Sequence, residues 1–368
     1  MPLYMDRHDI PEEISAEHVA KMHQEDLKVQ HLYGCKGMTY WCDEQRHTAF
    51  CLIEAPNKKA LQDMHNHAHG EFPYSIIEVN KTIVESFLGR IEDPVKSKDT
   101  ELNIINDLAF RVLMVIETSN YLDRLEANQF NIFTQKFHNS VAKKLTRFNG
   151  RIVKKDNNNY LVSFKTVTDA VLCAQKIQFQ FKYVTPKFDP SSRKLNIALS
   201  SGIPVTDRDE IFKETIDLAT RMCNIAKESF VITSEVNALY ESENRNAVID
   251  KEMVRILLPS DEKFITHLMD YIEGVWNNPE LDVLSFSKTL GYSKSQFYRK
   301  LTSLTVKSPN TFLRDYRLNR SLKLLHEQRG NISEIAFQTG FNSLAYFSEC
   351  FKSKFKIPPS KYIQQHTF

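Results

Sequence analysis

No C-x-x-C pair occurs in this chain. Its six cysteines stand apart at positions 35, 42, 51, 173, 223 and 350, a spacing that fits buried, reduced thiols better than a disulfide frame or a zinc knuckle. Long apolar runs are missing too. The most apolar stretch, "VLMVI" at 112–116, is far shorter than the roughly 20 residues needed to cross a bilayer. The opening "MPLYMDRHDIPEE" lacks the apolar segment of a secretory signal. The expectation is a cytoplasmic protein with no membrane partner. Charge of one sign is also absent from the whole, since 48 basic and 46 acidic residues leave a net +2. What is present is length: 368 residues exceed a single core, so two or three domains are expected.

Periodicity divides the chain. In residues 1–80, "PLYMDRH" reads as a strand and "SAEHVAKMHQEDLKVQHLY" as a helix capped by Ser15. "GMTYWCDEQRHTAFCLIEA" reads as two strands around a polar turn. "NKKALQDMHNHAHG" reads as a helix between Asn57 and Gly70, and "SIIEVN" as a last strand. The order β-α-β-β-α-β is that of a ferredoxin-like sandwich. Residues 81–106 lose this periodicity, carry Pro94, and read as a linker. Residues 107–240 form a second, larger α/β sandwich, opening on the buried strand "LAFRVLMVIETS". Residues 241–260 read as a second linker, and 261–368 show only helical periods. The fold class expected is multidomain α+β: two ferredoxin-like α/β sandwiches followed by an all-α domain.

The all-α segment is written twice. "FSKTLGYSKSQFYRKL" at 286–301 is echoed by "IAFQTGFNSLAYFSECF" at 335–351. Aligning Gly291 with Gly340 sets Phe286 beside Ile335, and one extra turn residue brings Phe297 onto Phe347 and Leu301 onto Phe351. Each copy is a short helix, a glycine able to turn with positive φ, and a second helix buried through residues four apart. That is a helix-turn-helix. Between the copies, "SPNTFLRDYRLNRSLKLLHEQ" starts a helix at Pro309. A helix of about 18 residues spans roughly 27 Å, near the roughly 34 Å repeat of the DNA major groove. From 288 to 361, 14 Lys and Arg face 4 acids, a local surplus of 10 that suits a polyanion.

With "YSKSQFYRKL", "SPNTFLRDYRLNRSLKLL", "ISEIAFQTGF", "YFSECFKSKF" and "PPSKY", residues 262–365 resemble the DNA-binding domain of the AraC/XylS family of bacterial transcription regulators. Val306 departs from the glycine common before the Ser-Pro. The resemblance implies double-stranded DNA as partner, with RNA polymerase as a further candidate. It places the base-reading residues at Ser295, Gln296, Tyr298 and Arg299 in the first copy. In the second they fall at Leu344, Ala345, Tyr346 and Glu349. Arg299 suits guanine and Gln296 adenine, while Glu349 suits cytosine or a solvated surface equally well. Lys294, Lys300, Lys352 and Lys354 are expected on phosphates, which position without specifying sequence.

Residues 107–240, through "FRVLMVIETSNYLDRL", "GRIVKKDNNNYLVSFKTVTDAVLCAQKIQ", "LNIALSSGIPV" and "KETIDLATRMCNIAK", resemble the catalytic domain of dimeric adenylate/guanylate cyclases. Two aspartates hold divalent ions in that family. Their positions here carry Ile116 and Asn158, and Glu117 beside the first points to the opposite strand face. The family's transition-state Asn falls on Asp217, and its Arg is kept as Arg221. The resemblance thus implies a homodimerisation or ligand-sensing module without turnover, with Arg221 as the remaining ligand-binding candidate.

Eight of the twelve histidines lie within the first 69 residues. His65 and His69, four apart, face one direction, the start of a site for Ni²⁺ or another divalent transition ion. "MPLYMDRHDIP", "AEHVAKMHQEDLKVQ", "MTYWCDEQRHTAFCLIEAPN" and "MHNHAHG" resemble a small family of ferredoxin-like domains that includes a nickel-binding bacterial protein. That resemblance implies His8, His23, His65 and His69 as candidate ligands. The chain is therefore expected to be a DNA-binding transcription regulator with sensing domains. The alternatives are a cyclase fused to a DNA-binding domain and a metal-handling protein.

Overall fold

The computed structural model describes residues 1–94, 102–120, 127–156, 159–184, 193–225, 230–245 and 253–366. The first sandwich follows the expected order: β1 (Leu3–Asp9), α1 (Ala16–Val29), β2 (Lys36–Asp43), β3 (Thr48–Glu54), α2 (Lys58–Ala68) and β4 (Ser75–Val79). Its antiparallel sheet runs β2-β3-β1-β4. Strand alternation sends Tyr4 toward α1 and α2 and Met5 to the opposite face. Asn57 caps α2, its Oδ1 accepting from the Ala60 N–H at 2.9 Å. Beyond the helix end the chain turns at Gly70, whose φ is 78°.

The segment expected as a linker instead begins with a helix, α3 (Lys81–Leu88). Asn80 Oδ1 accepts from the Thr82 N–H at 2.9 Å, and Gly89 ends the helix with φ 87°. Val84, Phe87 and Leu88 are buried between Met5, Trp41 and Phe50 of the first sheet and Leu113 and Phe212 of the next domain. The buried Arg111 donates to the carbonyls of Phe87 at 3.1 Å and Leu88 at 3.0 Å, supplying charge and donors to the helix C-terminus.

The second sandwich comprises β5 (Arg111–Asn120), α4 (Ala127–Arg147), β6 (Arg151–Lys155), β7 (Asn159–Phe164), α5 (Val167–Val184), β8 (Arg193–Gly202), α6 (Lys213–Ile225), β9 (Phe230–Ile232), α7 (Ser234–Glu243) and β10 (Arg255–Ile256). Sheet order is β10-β9-β8-β5-β7-β6, with β8, β9 and β10 mutually parallel and the other pairs antiparallel. Val112, Met114 and Ile116 face the core that includes Val141 of α4, Ile177 of α5 and Val236 of α7. Leu113 and Val115 face the other way, toward α3 and α6 respectively. The second segment expected as a linker carries the end of α7 and the short β10. The strand ends at Ile232, Thr233 caps α7 by accepting from the Val236 N–H at 3.3 Å, and β10 adds an edge to the sheet.

The last segment is all-helical: α8 (Pro259–Val275), α9 (Val283–Thr289), α10 (Lys294–Thr305), α11 (Pro309–His326), α12 (Ile332–Gln338), α13 (Leu344–Phe355) and α14 (Pro359–His366). Gly291 and Gly340 turn with φ 72° and 81°, where a side chain would be strained. The two copies differ in what they pack on. Phe264, Leu268, Phe297 and Phe312 share one core with Met222 and Val231 of the middle domain. Leu318, Ile335, Phe347 and Phe351 form a separate core.

Candidate metal centre and nucleic-acid interface

Strand alternation places Asp6 and His8 on the helix-facing side of β1, where α1 brings Asp26 and α2 brings His65 and His69 one turn apart. His65 is fully buried between two carboxylates, with Nε2 2.9 Å from Asp6 Oδ2 and Nδ1 3.0 Å from Asp26 Oδ1. His69 Nε2 lies 3.4 Å from Asp26 Oδ1 and 3.2 Å from His65 Nδ1. Cys51 stands opposite Asp6 in the ladder, and its N–H donates to Asp6 Oδ1 at 3.0 Å. Two sets, Asp6–His8–Cys51 and Asp26–His65–His69, each bring one ligand atom per residue within 4.8 Å of the others.

Electrostatics bind these groups together. Burial opposes charge on His65, but hydrogen bonds to Asp26 and Asp6 outweigh it and raise its pKa to about 10. Burial would raise Asp6, yet His8 and His65 hold it well below the usual carboxylate range. Asp26 is lowered against burial by His65 and His69, and burial pushes the Cys51 thiol well above its ordinary value. Two buried carboxylates thus share one protonated imidazole as their counter-charge, which leaves the group one negative charge in excess. The ring Nε2 of His8 is buried without a hydrogen-bond partner and sits 3.6 Å from Asp6 Oδ1. An orphaned imidazole nitrogen beside carboxylates is a donor set that fits a borderline divalent ion.

The histidines expected from sequence are not all brought together. His8, His65 and His69 converge, whereas His23 turns away, its Nε2 3.2 Å from Asp93 Oδ2 beside the Tyr40 ring. His23 is therefore corrected from a ligand to a partner of the segment after α3. Asp6, Asp26 and Cys51 were not anticipated. An Asp two residues before His8 on one strand face was the available signal for Asp6.

In the middle domain, Ile116 is buried in the core and Glu117 lies on the opposite face. Asn224 Nδ2 is 3.4 Å from Glu117 Oε1. Burial raises the Glu117 pKa to about 7 despite Asn224. Asn158 lies outside the described residues. Arg221, taken from sequence as a ligand-binding candidate, is corrected: it is buried against α8, 2.7 Å from Asp270 Oδ1 and 3.0 Å from Glu273 Oε2. The cation is engaged by the C-terminal domain.

In the C-terminal domain, Ser295, Gln296, Tyr298 and Arg299 on α10 and Leu344, Ala345, Tyr346 and Glu349 on α13 are all exposed. Gln296 Oε1 accepts from the Ser293 N–H at 3.1 Å in a capping box. Lys294 and Lys352 are exposed. Two expected phosphate contacts are corrected. Lys300 Nζ pairs with Asp261 of α8 at 2.9 Å. Lys354 donates to the Asp315 carbonyl at 2.7 Å, and burial lowers its pKa to about 8 despite the Asp315 carboxylate. The six cysteines are all buried free thiols. Among the described residues no helix is long and apolar enough to cross a membrane.

Residues 286–365 match the family described as helix-turn-helix domain, and residues 4–79 the family described as nickel responsive protein SCO4226-like. Histidine kinase P4 of Formosa agariphila is 37% identical over 107 residues, 29% of this chain and 8% of that one. Transcriptional regulator SirC of Salmonella typhimurium is 30% identical over 109 residues, 30% of this chain and 35% of that one. The matches cover between 8% and 35% of these curated relatives' own lengths. Among solved structures, SCO4226 from Streptomyces coelicolor is 31% identical with a TM-score of 0.20, covering 21% of this chain and 94% of that one. An adenylate/guanylate cyclase/hydrolase from Silicibacter pomeroyi is 20% identical with a TM-score of 0.32, covering 38% and 85%.

Proposed function

We propose that this protein is a sequence-specific DNA-binding transcription regulator acting in the cytoplasm. The observation that carries this reading is the pair of helix–glycine–helix units with exposed second helices, joined by the 18-residue α11. Base reading is assigned to Ser295, Gln296, Tyr298 and Arg299 of α10 and to the exposed turn of α13, phosphate contact to Lys294 and Lys352. RNA polymerase is the further partner such a regulator engages. Selection from randomised duplexes at physiological salt is the test. A preferred sequence should emerge, and Arg299→Ala should relax it at one position by about 1–3 kcal/mol of discrimination. Enrichment of no sequence would remove the proposal.

The first sandwich is the proposed sensor, with Ni²⁺ or a similar divalent ion held by residues drawn from His8, His65, His69, Asp6, Asp26 and Cys51. When bound, the ion would supply the positive charge that the His65 proton otherwise brings to the two carboxylates. Titration of the full chain with Ni²⁺ should give binding that His65→Ala/His69→Ala abolishes; unchanged affinity in the double variant removes this site. Coupling to DNA is supported by the cores shared between neighbouring domains, and requires that metal-bound and metal-free chains differ in DNA affinity.

The middle domain is proposed to connect rather than catalyse, because Ile116 is buried in the core and Arg221 is engaged by Asp270 and Glu273. Cyclic nucleotide formed from ATP or GTP with Mg²⁺ or Mn²⁺, and lost in Arg221→Ala, would contradict this. A homodimer through this domain is supported by the exposed Phe179 and Tyr183 on α5, whose rings lie 5.4 Å apart. Sedimentation equilibrium should show two copies associated, and a monomer at all concentrations would exclude it.

A further inference from the structure

The two reading helices share a framework but present opposite chemistries. Ser293 and Ser343 each accept from the N–H three residues further on, and Phe297 and Phe347 anchor the helices in their cores. At a constant offset of 50 positions, Lys294 corresponds to Leu344, Ser295 to Ala345, Gln296 to Tyr346 and Arg299 to Glu349. At these four positions each side-chain donor of α10 is replaced on α13 by an apolar, aromatic or acidic group, whereas Tyr298 corresponds to Ser348, a hydroxyl on both helices. Leu344 is 39% and Tyr346 50% exposed.

We infer that α13 recognises thymine through its 5-methyl group, using Leu344, Ala345 and the Tyr346 ring, whereas α10 recognises its half-site by hydrogen bonds. This rests on the DNA-binding reading above. In the major groove, guanine and adenine offer polar edges, and thymine alone adds a methyl group. Pressing Leu344 and Ala345 against a purine edge would desolvate acceptors with nothing to satisfy them. Against a thymine methyl the same side chains bury apolar surface on both partners. The operator is therefore asymmetric, with one half-site read at purine edges and the other rich in thymine.

The test uses the full chain and the duplex obtained by selection, with each thymine replaced singly by deoxyuridine, which removes only the methyl group. The half-site of α10 is the one relaxed by Arg299→Ala. In the other half-site, uracil should weaken binding about fourfold per contacted methyl, and Leu344→Ala should erase that difference while leaving discrimination in the first half intact. Specific binding indifferent to uracil throughout would overturn the inference and leave the DNA-binding reading standing. A uracil penalty confined to the α10 half-site would overturn it too. Failure of selection to yield any sequence would end both.

Discussion

At the scale of single residues, Val306 and His65 carry opposite kinds of tension. Val306 ends α10 in the left-handed conformation, φ 59°, with its side chain exposed. A β-branched residue there costs about 1–2 kcal/mol, while glycine's greater freedom in the unfolded chain takes back part of the gain. Val306→Gly should raise stability by about 0.5–1 kcal/mol, read from urea denaturation; a loss would show that the turn is not strained. His65 is held protonated by Asp26 and Asp6, with a folded pKa of about 10 against 6.5 for the free side chain. Its contribution is complete below about pH 6.5 and is lost as pH rises toward 10, because the unfolded chain gives up the proton first. Metal-free protein should therefore lose stability between pH 6.5 and 9, and His65→Ala should flatten that slope. An unchanged slope would mean that His65 is not the proton carrier. The pair His65–His69 was legible from its spacing because i and i+4 share a helix face. Asp26 was not, since on α1 it looks like any solvated carboxylate until α2 packs across it. His23 misled for the same reason: its partner, Asp93, lies 70 residues away.

At the scale of elements, long amphipathic patterns translated directly into α1, α2, α5 and α11, and the first sandwich took its expected order. Short elements did not. The eight residues of α3 and the two of β10 hold too few periods to stand out from a charged or polar stretch, and the burial of α3 comes from the domains on either side of it. The duplication was legible because Gly291 and Gly340 interrupt matching apolar patterns. Along α13, spacing alone could not separate Lys352 from Lys354, one exposed and the other bonded to Asp315. Lys352→Ala should weaken all duplexes alike and reduce the salt dependence of binding by about one ion. Lys354→Ala should leave the affinity of the folded protein unchanged and lower stability by about 1–2 kcal/mol, through loss of the buried stem and its donor. Calorimetry and salt titrations of both variants distinguish the roles; equal effects on DNA would erase the distinction.

At the scale of the molecule, the first sheet, α3 and the middle domain meet in one core, and the middle domain meets the first helix-turn-helix unit in another. The second unit has its own core and joins through α11. None of this sharing was visible in the sequence, because a surface apolar residue and an interdomain one have the same period. The arrangement packs the first helix-turn-helix unit on the middle domain and carries the second on a helix of roughly 27 Å. The direct measurement is a hydroxyl-radical footprint of the full chain on its selected duplex. The account predicts two protected patches on one face of the DNA, about one helical turn apart, with the patch from α13 lost in a variant disrupting Phe347. A single patch unaffected by that change, or protection spread around the whole duplex, would contradict it.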